Sequence, residues 1–326
     1  MEKISSPPTQ YTVLICVTPS MIRPPYLQPG DLVAIVAPAR KITPQEIAPA
    51  LTLLRSWQLE VVLPEHLFDD DNQFAGDDNT RALTLQQQLD DPSIRAIFCA
   101  RGGYGTVRII DRLDFSRFRK HPKWIVGYSD ITTLHSHIHR HFGIETLHAT
   151  MPINIPADAT HTHYPAIDTL HQALFGGEIS YTLPHHPPHP LNHIGTAQAP
   201  LVGGNLSILY SLCGSPSDIN TEGKILFIED LDEYLYHIDR MMMNLKRCGH
   251  LSHLAGLIVG QMSDMHDNTI SFGATAEQII RHATSEYSYP ICFNFPAGHN
   301  GTDNHALILG HSATLTGTPD GSTLTF

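Results

Sequence analysis

The sequence is short of cysteine, of charge and of long apolar runs. Its five cysteines, Cys16, Cys99, Cys213, Cys248 and Cys292, stand far apart and form no C-x-x-C pair. That spacing offers neither a disulfide framework nor a zinc ribbon, so free thiols, mostly buried, are expected. No apolar run approaches the roughly 18 residues of a membrane span. Charged residues make up only 16% of the chain, and 20 Lys and Arg against 32 Asp and Glu leave a formal charge of −12. An acidic chain disfavours nucleic acid and anionic membrane as partners, since both call for a basic face. The dinucleotide fingerprint G-x-G-x-x-G, the phosphate loop ending in G-K-[ST] and the zinc helix H-E-x-x-H are all missing. The first 20 residues hold tandem prolines and one short apolar stretch, Val13 to Val17. This does not match the basic start and longer apolar core of an export signal. Residues 1–20 read as a non-structural extension or a misassigned start ahead of Met21, and with the free thiols they point to the cytoplasm.

What is present is enough to fold. The 326 residues are 41% apolar, which excludes a mainly disordered chain, and at roughly 150 residues per domain the length suggests two domains. Short apolar runs alternate with helical patterns. Strands are expected at 32–37, 59–63, 96–100 and 124–126, and helices at 43–57, 79–89, 106–113 and 131–141. Near-continuous apolar strands separated by helices predict a parallel sheet covered on both faces. Ligands then gather at the carboxyl ends of the strands. Prolines and histidines punctuate 156–192, which reads as a linker crossing the surface. The alternation resumes afterwards, with strands at 197–202, 224–228, 257–259 and 290–293, helices at 206–212, 234–247 and 274–283, and a β-like tail over 313–326. The expected organisation is an extension over 1–26, an α/β domain over 27–155, the linker over 156–192 and a smaller α/β domain over 193–326. The site is expected in the cleft between the two domains.

Three segments carry chemistry. Arg101-Gly102-Gly103-Tyr104-Gly105 follows an apolar strand; its glycines let the backbone turn and present N–H groups to an anion. Taken alone it reads equally well as a tight turn. Ile125-Val126-Gly127-Tyr128-Ser129-Asp130-Ile131 runs a strand through Gly-x-Ser into a helix, the setting of a nucleophile elbow. The Asp130 N–H would then face an oxyanion, although a Ser129 that merely caps the helix fits the same pattern. Glu229-Asp230-Leu231-Asp232-Glu233 ends a strand, with Glu229 first at the site edge; an acidic helix start is the other reading, one that suits Asp232 or Glu233. A serine hydrolase also needs a histidine base held by a carboxylate. His299, in Pro296-Ala297-Gly298-His299-Asn300 after a strand, is the best placed.

In these motifs the sequence resembles the LD-carboxypeptidases, a serine-peptidase family that includes the microcin-immunity peptidases. RGGYG at 101–105, GYSD at 127–130, LVGGNL at 201–206, EDLDEYLYHIDR at 229–240 and PAGH at 296–299 occur in the family's order across about 30–310. The resemblance implies Ser129 as nucleophile, Glu229 as triad carboxylate and His299 as general base. Gly102, Gly103 and the N–H of Asp130 would form the oxyanion hole. It places Asn205 near the cleft and Asp239–Arg240 in a structural or substrate-orienting role; Arg101 or Arg240 would meet a substrate carboxylate. It implies removal of a terminal D-amino acid, D-Ala, from the murein tetrapeptide in cell-wall recycling. No cofactor or metal is expected; the partner is a small muropeptide, and a homodimer is expected by resemblance. The alternatives are a related amidase or immunity peptidase acting on peptidyl or aminoacyl conjugates, and a non-catalytic binder of small anions.

The 22 histidines are a surplus. His135, His137, His139 and His141 fall on one predicted helix, where residues four apart share a face as zinc ligands can; surface or interhelical packing is the plainer expectation. His185, His186 and His189 sit in the predicted linker. His121, His250, His253, His266, His282, His305 and His311 suggest no partner from sequence.

Overall fold

The computed structural model describes residues 21–184, 189–301 and 303–326. The expectations for 1–20, for Cys16 and for His185 and His186 lie outside the described residues. In chain order the elements are β1 (Leu32–Val36), α1 (Pro44–Ser56), β2 (Glu60–Val62), α2 (Asp78–Asp90), β3 (Ile94–Cys99), α3 (Thr106–Ile109), α4 (Ser116–Lys120), β4 (Trp124–Gly127), α5 (Thr132–Phe142) and β5 (Thr146–His148). There follow α6 (Pro165–Phe175), β6 (Ser180–Pro184), β7 (Gly195–Asn205), α7 (Leu206–Leu212), β8 (Ile225–Leu231), α8 (Leu235–Arg247), β9 (Gly256–Ser263), α9 (Ala276–Ala283), β10 (Ile291–Cys292), β11 (Leu307–Leu309), β12 (Ser312–Thr318) and β13 (Gly321–Thr325).

The strands form two sheets, ordered β11-β5-β4-β3-β1-β2 and β10-β9-β8-β7-β12-β13-β6. In the first, β1 to β5 run parallel. Its outer strand β11 is antiparallel and comes from the far end of the chain. In the second, β7 to β10 run parallel, and β12, β13 and β6 extend them as an antiparallel wing. Each sheet turns one face to a layer shared by both, where Val33, Ile35, Trp124 and Leu147 meet Leu201, Phe227, Ile258 and Leu315 in one apolar cluster. The other faces are closed separately. Ile97, Ile125, Leu134 and Ile138 pack on the first sheet, and Leu226, Ile238, Met241 and Ile280 on the second.

Two features depart from the sequence reading. The stretch read as a surface linker contains α6 and β6. Leu170 and Leu174 of α6 are buried in the shared layer with Tyr181 and Leu183 of β6, and the Thr169 hydroxyl accepts the Ala306 N–H at 3.0 Å. Pro165 occupies the first turn of α6, where its fixed φ and missing N–H suit a helix start. The second departure is the sharing of strands: β11 leaves the C-terminal segment to complete the first sheet, and β6, from the predicted linker, is the outer strand of the second. The strand exchange leaves no sequence signal, because it depends on which surface the segment meets.

Candidate active site

The carboxyl ends of β4 and β8 approach each other across the shared layer. At the end of β4, Gly127 admits no side chain: a Cβ there would lie 2.9 Å from Ile131 Cγ1. Tyr128 is extended, and Ser129 then takes φ +62°, a left-handed conformation that costs a non-glycine residue roughly 1–3 kcal/mol. A single turn of 3-10 helix over Ser129–Ile131 feeds α5. The strained serine lies between strand and helix, where the pattern placed it, and it is the first residue of the helical turn, whose cap position falls to Tyr128.

The Gly-rich loop lies directly against it. A Cβ on Gly102 would sit 3.0 Å from Ser129 Cβ, 3.2 Å from its Oγ and 3.5 Å from the Asp130 N. Gly102, the serine hydroxyl and the Asp130 N–H therefore share one small volume. The Asp130 carboxylate is turned the other way. It is 1% exposed and accepts the Thr106 N–H at 2.9 Å, so it ties the loop to the elbow. Burial pushes its acid up, and the Thr106 hydrogen bond only partly opposes that.

Gly103, at φ +103°, is covered by Arg40, whose Cδ would be 2.1 Å from any Cβ there. The Arg40 N–H also reaches the Gly102 carbonyl at 3.4 Å. Arg40 carried no motif and was not singled out from sequence. Arg101 stands beside it with an ion pair to Glu46 at 3.5 Å. Two guanidinium groups thus rim the loop.

From the second sheet comes Glu229. The β8–β9 register slips between Ile228 and Asp230; such a bulge re-aims a side chain. Glu229 is wholly buried. Two glycines make room for it: a Cβ on Gly260 would lie 2.4 Å from the Ala297 carbonyl oxygen, and one on Gly298 would lie 3.2 Å from Glu229 Oε2. His299 Nδ1 meets Glu229 Oε2 at 2.6 Å. Burial would depress this histidine, but the Glu229 carboxylate outweighs it and the net shift is upward. The His299 ring packs edge-on against Tyr128 at 4.8 Å between centroids, one residue from Ser129.

The loop bearing His299 is held by residues that sequence reasoning missed. Gln261 donates from its backbone to the Ala297 carbonyl at 3.0 Å and accepts the Asn300 N–H at 2.9 Å on its side chain. Asn304 Oδ1 accepts the Gly298 N–H at 3.0 Å. His148, buried on the other side of Tyr128 at 5.7 Å, is held well below its ordinary value by burial and then by His135 and His299.

Other expected site residues serve elsewhere. Asn205 is 4% exposed; its side chain caps α7, accepting from Ile208 N at 3.2 Å and donating to Asp230 Oδ1 at 2.9 Å. Asp230 also accepts the Ser207 N–H at 2.9 Å, and burial and then Glu229 push its carboxyl up to about 7. Arg240 lies exposed on α8 with its guanidinium 5.2 Å from the Tyr236 ring centre. Glu233 pairs with His237 at 2.6 Å.

The four α5 histidines gather no metal geometry among the described residues. His135 bonds the Gly127 carbonyl at 2.9 Å and His139 the Thr146 hydroxyl at 3.2 Å. His137 and His141 turn outward to Ser217 Oγ and the Pro216 carbonyl at 2.9 and 2.8 Å. The plainer expectation, interelement packing, is what they do.

This arrangement brings a strained serine from one sheet to a histidine–carboxylate pair from the other, the composition of a two-domain serine hydrolase site. Comparison with known proteins gives the particular lineage. Residues 33–149 match the LD-carboxypeptidase N-terminal domain and residues 198–315 the C-terminal domain. The probable murein peptide carboxypeptidase of Bacillus subtilis is 38% identical over 281 residues, 85% of this chain and 86% of that one. The murein tetrapeptide carboxypeptidase of Pseudomonas aeruginosa is 28% identical over 300 residues, 89% and 95% of the two chains. The muramoyltetrapeptide carboxypeptidase structure from Oxalobacter formigenes superposes with TM-score 0.80 at 25% identity, covering 90% of this chain and 98% of its own. A microcin-immunity-like protein from Bacillus anthracis shares the fold, with TM-score 0.79 at 22% identity over 94% of this chain and 99% of its own. The chain belongs to the LD-carboxypeptidase family. It is a serine-type carboxypeptidase, and among the described residues no helix is long and apolar enough to cross a membrane.

Proposed function

We propose that the protein removes the terminal D-Ala from a murein tetrapeptide through an acyl-enzyme on Ser129. The observation that carries this reading is the 2.6 Å contact of His299 with the buried Glu229, set beside Tyr128 and the strained Ser129. A serine hydroxyl is a weak nucleophile and needs a base within about 2.6–3.2 Å. His299 takes the Ser129 proton on Nε2 as Oγ attacks the amide carbon; Glu229 fixes the tautomer by accepting from Nδ1 and stabilises the imidazolium. The oxyanion falls to the N–H groups of Gly102 and Asp130, where losing one donor costs about 3 kcal/mol of barrier. His299 then returns its proton to the departing amine, and water, activated by the same histidine, frees the acyl group. The leaving D-amino acid carries a carboxylate. Arg40 and Arg101 on the rim of the loop suit it better than Arg240, which packs on Tyr236.

The murein-named relatives support this substrate class, and cytoplasmic recycling of wall fragments is the setting that accords with it. The test is release of free D-Ala from L-Ala-D-Glu-diamino acid-D-Ala by the wild type and by Ser129→Ala, with a chelator present. Release by the wild type and a fall of at least about 10³ in the variant are expected. A wild type that cleaves aminoacyl conjugates but not the tetrapeptide would transfer the same triad to an immunity-type substrate. Undiminished release by Ser129→Ala would sink the mechanism.

A further inference from the structure

Away from Ser129, Glu229 and His299, three side chains that sequence left without a shared role converge. Cys213 caps the end of α7 and His250 follows the end of α8 by three residues. Asp218 lies on the segment between α7 and β8. A thiol sulfur, a carboxylate oxygen and a ring nitrogen from these three all lie within 4.8 Å of one another. His250 Nε2 and Asp218 Oδ1 are 3.0 Å apart. A fourth donor stands just outside this group: the Cys248 thiol interacts with Cys213 but is not within 4.8 Å of all three. Cys248 also lines, with Asp218 and His250, a cavity of about 300 Å³.

We infer that Cys213, Cys248, Asp218 and His250 form a binding site for a single zinc-class divalent cation. Two thiolates, an imidazole and a carboxylate suit a borderline-soft ion that takes four ligands. In a tetrahedral site with Zn–N and Zn–O of about 2.0–2.1 Å, such atoms stand about 3.4 Å apart, so the 3.0 Å His250–Asp218 contact would open by a few tenths of an ångström, and the thiols would give up the Leu209 carbonyl and Asn244 Oδ1. Asp218 and His250 are also held in place. The Gly214 N–H binds Asp218 Oδ2 at 2.9 Å and leaves Oδ1 facing His250. The His250 N–H donates to the Leu245 carbonyl at 2.9 Å, and its own carbonyl accepts from Thr221 Oγ1 at 2.8 Å. Binding exchanges each thiol proton for a sulfur–metal bond and releases it to solvent. The two thiolates and the carboxylate outweigh the dication by one negative charge, and Arg140 lines the same cavity to offset it.

The position suggests what the ion would do. The 213–221 segment is bound to α5, the helix that starts just after Ser129: Ser136 Oγ donates to the Ser217 carbonyl at 2.6 Å, and His141 Nε2 meets the Pro216 carbonyl at 2.8 Å. A cation joining Cys213 and Asp218 to the end of α8 would lock this segment against both domains. Its role is structural, so it should raise stability without entering the hydrolysis.

The test uses the full chain, reduced with a phosphine and stripped of metal, titrated with Co(II) and then Zn(II). Expected are a thiolate-to-cobalt charge-transfer band saturating at one equivalent, its displacement by zinc, and a melting temperature several degrees higher with zinc bound. Zinc should also protect Cys213 and Cys248 from iodoacetamide in peptide maps. The Cys213→Ser/Cys248→Ser double variant should lose the band, and His250→Gln should bind zinc at least tenfold more weakly. Absence of the band in the wild type, or its survival in the double variant, would overturn the site. If the double variant fails to fold, alkylation of the wild-type thiols decides alone: equal rates with and without zinc would refute it.

Discussion

Burial acts on His135, His137 and His139 of α5 and on His299 beside Glu229, yet their chemistry diverges. On α5, burial pushes His135 down to about 4, with the Gly127 carbonyl opposing too weakly; burial and then His141 bring His137 to about 4; burial and then His135 bring His139 to about 3. His299 is shifted the other way, because the Glu229 carboxylate outweighs a similar desolvation. One well-placed carboxylate therefore separates a histidine raised above its ordinary value from side chains that burial holds below theirs. Abundance of histidine says little about catalysis; the partner on Nδ1 says a great deal.

The sharpest way to break the contrast is to remove that carboxylate. Glu229→Gln leaves His299 under the same burial as the α5 group. The tautomer is no longer enforced and the imidazolium is not stabilised, so kcat should fall on the order of 10³–10⁴-fold. The pH profile should report the cause. In the wild type the base is active when neutral, so the acidic limb of kcat/KM should lie above the ordinary histidine value of about 6.5. In Glu229→Gln the residual activity should have its limb at or below that value. A limb that does not move would show that Glu229 does not set the proton affinity of His299.

A smaller effect tests the other half of the contrast. His135, His137 and His139 have folded values below their unfolded ones. Their contribution to stability is complete above about 6.5 and is lost as pH falls toward the folded values of about 4 and about 3. Unfolding free energy should therefore drop between pH 6.5 and 4 by up to about 1.4 kcal/mol per pH unit for each such histidine. His299 has the opposite sign: its contribution is complete below its unfolded value and lost as pH rises through the folded one. Denaturant titrations across that range, on the wild type and on His135→Leu, would measure the difference. A slope identical in the two proteins would remove His135 from the account.

Much of this was legible in the sequence where local pattern and chemistry coincide. The β4 run into Gly127-Tyr128-Ser129 announced strand, turn and helix, because Ile131 requires a glycine at 127 and the serine follows at the bend. The apolar run before Glu229 announced a strand with a carboxylate at its end. The illegible parts depend on remote partners. Asn205 lies beside the cleft in sequence, but its side chain is spent on the α7 cap and Asp230. Arg40, Gln261 and Asn304 belong to no motif and acquire meaning only when Gly103, Ala297 and Gly298 come to rest on them. The α6 helix was hidden by its prolines, although Ile167, Leu170 and Leu174 carry helical spacing.

The smallest predicted effect concerns the elbow itself. Ser129 at φ +62° is the one residue of the proposed triad whose backbone opposes its own position. Ser129→Ala removes the hydroxyl but leaves a Cβ in the left-handed region, so stability should change little. Ser129→Gly removes both. Glycine enters this region freely, so the relief of strain should stabilise the folded chain, partly offset by the greater entropy that glycine has when unfolded. A net gain of about 1 kcal/mol over Ser129→Ala is expected, measured by denaturant unfolding of the two inactive variants. Because neither variant can turn over substrate, their difference isolates backbone strain from chemistry. If Ser129→Gly is the less stable of the two, the elbow is not under strain and the left-handed turn is simply the local minimum that Gly127 and Ile131 impose.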